Sequence, residues 1–290
     1  MKEPIPVFEQ TKAIHGEGPV WDPEAQKLYW VDISEGKFFK GDINSDTVET
    51  FNVGQPVGVL ALINERRVIM GMRDGIGIFS EATKSVELIF RLPTGQDLRF
   101  NDGTVDPAGR FVAGTMNSKG DAPVGKLFSV DATHRVKILK ENLFIPNGMK
   151  WSSDHKTFFL TDTPQHLIYA FDYEAETGNI FNQRNFIEFE KDEFPDGMCL
   201  DDEGGFWVAL WGGSKLLRFD NRGKRIDEIK MPVPYATSCC FGGATRNLLF
   251  VTSSQRDLDA NQKKQYPLSG SVFMIETNTT GPSQRRFAEG

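Results

Sequence analysis

Short apolar runs recur along the chain with polar, turn-forming stretches between them. LYWVD (28–32), VIMGM (68–72), FVAGT (111–115), FFLTD (158–162), FWVAL (206–210) and LLFVT (248–252) are rich in β-branched and aromatic residues and too short for helices, so each predicts a strand. Each run ends a longer phrase: a small lead residue, an apolar stretch, a turn of Asp, Pro and Gly, then the strand. The phrases are GPVWDPEAQKLYWVD, GVLALINERRVIMGM, GTVDPAGRFVAGT, GMKWSSDHKTFFLTD, GMCLDDEGGFWVAL and SCCFGGATRNLLFVTS. Their lead positions, Gly18, Gly58, Gly103, Gly148, Gly197 and Ser238, are spaced by 40, 45, 45, 49 and 41 residues. A period of this size belongs to propellers and solenoids. Further hairpin signals such as KFFKGDINSDTVETFNV and KLLRFDNRGKRIDEIKM bring each unit to about four strands and roughly 48 residues. The pattern predicts an all-β, six-bladed β-propeller with four-stranded blades around a central channel, forming one domain over residues 1–290. Closure is expected between PVFEQT near the start and SVFMIE near the end, which removes the exposed sheet edges.

The repeat changes the meaning of one tripeptide. Pro195-Asp196-Gly197 by itself reads as a turn, because it supplies a fixed φ, a local acceptor and a residue tolerant of positive φ. In a propeller the innermost strands line the channel, so equivalent positions of successive blades surround one axial point. The residues preceding the leads are Glu17, Val57, Asp102, Asn147, Asp196 and Thr237; five of the six carry side-chain oxygen and none carries sulfur or imidazole. Oxygen-only ligands with several carboxylates suit a hard divalent cation such as Ca2+, Mg2+ or Mn2+. Glu17, Asn147 and Asp196 are the best candidates. Turn chemistry accounts for Asp and Asn before Gly, but not for Glu17, since Glu has no comparable turn preference.

Composition narrows the partners. A net charge of −7 argues against a phosphate-tracking surface and so against nucleic acid. With 39% hydrophobic and 25% charged residues and no apolar run of bilayer length, a soluble globular protein with no membrane partner is expected. MKEPIPVFEQ lacks a basic segment followed by an apolar one, so a cytoplasmic location is expected. Cys199, Cys239 and Cys240 form no C-x-x-C pair and fit reduced, buried thiols. No feature specifies an oligomeric state.

Several motif-like stretches lack the residues their chemistry needs. In Gly120–Leu127 a leucine stands where a P-loop needs a hydroxyl, and KLFSV is strand-like. Asp42–Asp46 opens like a calcium loop, but Thr47 and Val53 replace the required Gly and Glu, which leaves a hairpin turn. His15, His134, His155 and His166 show no H-x-x-x-H spacing and no G-x-S-x-G elbow occurs, so zincin and serine-hydrolase mechanisms lose support. His15, two residues before Glu17, is expected in the channel wall rather than as a ligand.

GEGPVWD, RFNDGTVDPAGRFVAGTM, PNGMKWSSD, PDGMCLDDEG and TSCCFGG resemble, in order and spacing, the senescence-marker/regucalcin/gluconolactonase family, over nearly the whole chain and most weakly after about Asp257. The resemblance implies a six-bladed propeller with one axial divalent metal (Ca2+, or Mg2+, Mn2+ or Zn2+) and hydrolysis of aldonolactones such as gluconolactone to aldonic acids. It implies Glu17, Asn147 and Asp196 as metal ligands, Arg99 and Asn101 as holders of substrate hydroxyls, and Asp102 beside the site. One departure stands out. After AGTM some members place a glutamate that touches the sugar, whereas here Asn117, Ser118 and Lys119 follow Met116. Lys119 therefore joins the substrate-binding candidates with reversed charge, and Asn117 or Asp121 are alternatives for the missing contact. The expected mechanism has the cation polarising the lactone carbonyl and Asp196 as general base. Two other readings remain: a different metal-dependent hydrolase, for example of phosphotriesters, and a non-enzymatic calcium-binding or interaction propeller.

Overall fold

The computed structural model describes residues 2–290. Among them, the strands form six four-stranded antiparallel sheets. Blades 1 to 5 are continuous in sequence, and their innermost strands are Gly16–Asp22, Val57–Asn64, Leu98–Val105, Pro146–Trp151 and Phe194–Leu200. Blade 6 is composite. Ala236–Gly242, Leu248–Ser253 and Val272–Glu276 come from its own stretch of chain, and Ile5–Val7 completes it from the beginning. Ile5 faces Met274 and Val7 faces Val272, so the expected closure is present through a three-residue strand. Each innermost strand touches the next, and the sixth touches the first. The result is a six-bladed propeller.

The chain patterning explains the layering. Innermost strands are buried nearly throughout, as in Ala236–Gly242, and read as continuous apolar runs. Outer strands such as Thr47–Asn52 and Arg225–Lys230 carry charges on an exposed face. Six hydrophobic clusters fill the six gaps between neighbouring blades. Tyr29, Val31 and Phe38 of blade 1 meet Val57, Leu60 and Met70 of blade 2, while Trp21 and Trp30 meet Cys240 and Phe250 of blade 6. Because every blade buries two faces, the ring stands or falls as a unit.

The lead positions mark a repeated irregularity in place of chain reversals. In blade 5, Pro195 faces Leu210 and Met198 faces Val208, so Asp196 and Gly197 oppose a single residue. Pro195-Asp196-Gly197 is therefore a β-bulge within a strand, which corrects its reading as a turn. Equivalent register shifts fall between Glu17 and Val20, Val57 and Val59, Phe100 and Gly103, Asn147 and Met149, and Ala236 and Ser238. A bulge re-aims side chains that regular pleating would direct elsewhere. Gly18 takes a φ of 53° there, and a Cβ on Gly197 would lie 2.1 Å from the Ser238 hydroxyl of blade 6. The repeated glycines permit the bulges and the close approach of the inner strands.

Residues 277–290, beyond the clearest repeats, form a strap over one end of the ring. Asp202 of blade 5 pairs with Thr280, Arg246 of blade 6 accepts Gly281, and Arg286 reaches Asp22 and Glu24 of blade 1. Arg285 approaches His155 of blade 4, and Phe287 donates its amide to Leu62 of blade 2. Ala288 donates to Gly109 of blade 3, so the strap touches all six blades. Phe287 is buried between blades 2 and 3. Phe287→Ala is expected to cost about 3–5 kcal/mol by cavity formation and to lower the melting temperature by several degrees; a thermal melt within a degree of wild type would show the strap to be dispensable.

Candidate active site and metal centre

Two aspartates at the ends of second strands position the candidate ligands. Asp32 ends LYWVD and accepts the amides of Ile14 (2.7 Å) and His15 (3.1 Å), which fixes the backbone leading into Glu17. Asp162 ends FFLTD and accepts the amides of Phe144 (3.1 Å) and Ile145 (2.9 Å), just before Asn147. Antiparallel pairing makes this possible, because the end of each second strand lies beside the start of the first. The bulges then turn Glu17, Asn147 and Asp196 toward one cavity.

That cavity has a volume of about 130 Å³ and is lined by Glu17, Arg99, Asn101, Lys119, Asn147 and Asp196, together with His15, Thr163, Trp211 and Arg256. All six sequence-predicted site residues are thus brought together. Glu17, Asn147 and Asp196 expose only 6%, 4% and 5% of their surface, so their polar atoms lie at the buried end of this cavity. Asp102 differs. It follows Asn101 on a bulged strand and lines a separate cavity of only about 30 Å³, with Lys150 and with Gln284 and Arg285 of the strap. Its carboxylate accepts the Gly103 amide at 2.7 Å. Thr237 is used structurally, donating to the Gly16 carbonyl at 2.6 Å.

A single chain of hydrogen bonds crosses three blades. Arg99 Nη1 donates to Asn101 Oδ1 (2.8 Å), and Asn101 Nδ2 donates to Asn147 Oδ1 (2.9 Å) and to the Pro146 carbonyl (3.1 Å). Asn147 Nδ2 donates to Thr163 Oγ1 (2.8 Å), whose hydroxyl donates to the Pro195 carbonyl (2.7 Å), one residue from Asp196. Guanidinium can only donate and a carbonyl can only accept, so the two ends dictate the orientation of both amides between them. Asn147 Oδ1 retains a free lone pair, and both Asn101 amide hydrogens are engaged.

Electrostatically the carboxylates are under-compensated. Burial, then the charges of Asp196 and Asp102, push the Glu17 carboxyl well above its usual range. Burial and Asp102 do the same to Asp196, against the opposing pull of Arg256 and Arg99. Burial and then the charge of Arg256 pull the Arg99 guanidinium down to about 10. His15 is pushed toward its neutral form by burial and by the charges of Arg256 and Arg99, with its Nδ1 3.2 Å from Arg256 Nη1. Among the described residues no three His, Cys, Asp or Glu side chains group as a metal centre. The candidate set is instead two carboxylates and one amide oxygen. Hard oxygen donors buried with excess negative charge fit a divalent cation of the calcium or magnesium type.

Trp211, Arg256 and Thr163 were not foreseen. All lie at or just beyond the end of a second strand, where Asp32 and Asp162 also lie, so aligning those positions across the repeat would have found them. Of the three alternatives for the missing glutamate contact, Lys119 lines the cavity, while Asn117 and Asp121 bond each other at 2.6 Å. The three cysteines are free and buried, Cys199 and Cys239 with their sulfurs 3.4 Å apart. No helix among the described residues is long and apolar enough to cross a membrane.

Residues 15–255 match the SMP-30/Gluconolactonase/LRE-like region family. Regucalcin of Gallus gallus is 38% identical over 268 residues, 90% of each chain. Among solved structures, a luciferin-regenerating enzyme superposes with a TM-score of 0.90 at 30% identity, covering 98% of this chain and 99% of that one. A protein of Agrobacterium tumefaciens described as the calcium-binding protein regucalcin superposes with a TM-score of 0.92 at 26% identity, covering 97% and 96%. Thr163→Val is expected to break the hydrogen-bond chain, leave Asn147 Nδ2 and the Pro195 carbonyl unpaired, and cost roughly 1–3 kcal/mol in denaturant unfolding; wild-type stability would show the chain to be slack.

Proposed function

Because the chain belongs to the SMP-30/Gluconolactonase/LRE-like family, we propose that it is a metal-dependent lactonase that opens sugar lactones to the corresponding hydroxy acids. The observation that carries this reading is the convergence of Glu17, Asn147 and Asp196 on one buried cavity that also contains Arg99. Those three side chains would hold one divalent cation, with Ca2+ the first choice given the Agrobacterium relative's description. When bound, the cation supplies Lewis acidity, which polarises a carbonyl and makes a neighbouring water more acidic.

The protein's own groups do the rest. Asp196 accepts the proton of the water that adds to the lactone carbonyl, and returns a proton to the ring oxygen as the acyl–oxygen bond breaks, giving carboxylic acid and free hydroxyl. Arg99 is half free for this task. Its Nη1 is held by Asn101 and the Phe100 carbonyl (3.0 Å), and its other donors, with no protein partner among the described residues, remain for a substrate oxygen. Asn101 has both amide hydrogens engaged, so it contributes an accepting lone pair to a substrate hydroxyl. Met116, Ile145 and Trp211 supply an apolar wall against which a lactone ring can pack.

A calcium-binding propeller without turnover is the competing reading, favoured by the Agrobacterium protein's description alone. One variant separates the two. Asp196→Asn is expected to lower turnover of gluconolactone by at least about a hundredfold at saturating Ca2+. Wild-type turnover in that variant would sink the assignment of Asp196. Binding to the native state alone also stabilises it, by about 2.7 kcal/mol at a hundredfold excess over Kd. Ca2+ is therefore expected to raise the melting temperature of wild type and chelator to lower it; a melt indifferent to both would remove the metal from the account.

A further inference from the structure

Three cationic side chains line the cavity and are only partly neutralised. Arg99 lies deep and partly buried, Lys119 reaches in from the loop after strand Phe111–Asn117, and Arg256 stands at the mouth beside Trp211. Among the described residues Arg99 and Lys119 form no ion pair, while Arg256 pairs with Asp257 through Nε (2.9 Å) and Nη2 (3.1 Å). The remaining nearby carboxylates are turned elsewhere. Asp97 accepts the Ser118 hydroxyl at 2.7 Å, Asp121 accepts the Asn117 amide, and neither lines the cavity.

Within the cavity the only carboxylates are Glu17 and Asp196. A divalent cation would balance both, which leaves Arg99 and Lys119 without a counter-charge and Arg256 shared with Asp257. Arg99 and Arg256 also repel each other, a repulsion that adds to burial in lowering the Arg99 pKa. A neutral polyhydroxy ring offers hydroxyls to such a wall but relieves none of its charge. A cleft of one sign focuses its field and favours a ligand of the other, and guanidinium matches a planar oxyanion bidentately.

Resting on the lactonase reading, we infer that the substrate carries a second, anionic group remote from the lactone carbonyl, bound at the mouth by Arg256 and Lys119. The substrate class is then the lactone of a sugar diacid or of a phosphorylated sugar acid, in preference to a neutral aldonolactone. Arg99, deeper in the cavity, stays with the acyl end.

The experiment compares kcat/KM for gluconolactone, for glucarolactone, which has a carboxylate at the terminal carbon, and for the terminally phosphorylated gluconolactone, all with Ca2+ at low ionic strength. At least one anionic lactone is expected to be preferred over gluconolactone by about tenfold or more, and which one identifies the anion. The preference is expected to shrink in high salt and to fall several-fold in Lys119→Gln and in Arg256→Gln, mainly through KM. Equal or better turnover of gluconolactone overturns the inference but leaves the lactonase reading intact, as do variants that slow all three lactones alike. If no lactone is hydrolysed, the lactonase reading fails and calorimetry decides the anion site. Glucarate binding to Ca2+-loaded wild type that is lost in the double variant supports it, and glucarate binding no better than neutral glucitol overturns it.

Discussion

The polarity of one hydrogen-bond chain governs this site. Arg99 can only donate and the Pro195 carbonyl can only accept, so Asn101, Asn147 and Thr163 between them have no freedom of orientation. The chain runs from blade 3 through blade 4 to blade 5. It presents an oxygen of Asn147 to the cavity, and it ties Asp196 to the far end through the residue before it. Flipping either amide would place two donors or two acceptors face to face in a buried space, at a cost well above that of one surface hydrogen bond. The geometry of the cavity is therefore set before any ligand arrives.

Around this chain the fold supplies two further conditions. The bulges lift the axial side chains out of regular pleating, and closure through Ile5–Val7 locks the six inner strands against each other. The resulting space is lined by two buried carboxylates. Glu17 and Asp196 repel each other and Asp102 repels both, so the apoprotein holds carboxyl groups whose pKa values are raised by burial and by one another. A bound cation would reverse the sign of that interaction, and under the proposed function the same carboxylates would serve as its ligands.

Much of this was legible in the chain, and the unreadable part has a physical cause. Strand runs and a repeat of 40 to 49 residues disclosed blade number and closure, because apolar periodicity is local. Glu17, Asn147 and Asp196 emerged because a repeat turns equivalent positions into neighbours. Pro195-Asp196-Gly197 was misread as a turn because turns and bulges use the same residues, and only the partner strand distinguishes them. Asp102 shares its neighbours' motif but faces the other end of the channel, since adjacent residues on a strand diverge. Arg256 and Trp211 sit just past the shared phrases, near the places Asp32 and Asp162 hold in their own blades, and were missed because the phrases were compared at their starts and not at their ends. The strap ending at Phe287 lies where the repeat has stopped.

Crystals grown with Ca2+ test the central claim most directly. One cation is expected on the axis, coordinated at about 2.3–2.6 Å by the carboxylates of Glu17 and Asp196 and the amide oxygen of Asn147, with the hydrogen-bond chain from Arg99 to Pro195 unchanged. A cation found instead only at a surface hairpin such as Asp42–Asp46, or an axis without one at saturating Ca2+, would contradict the assignment of these three residues.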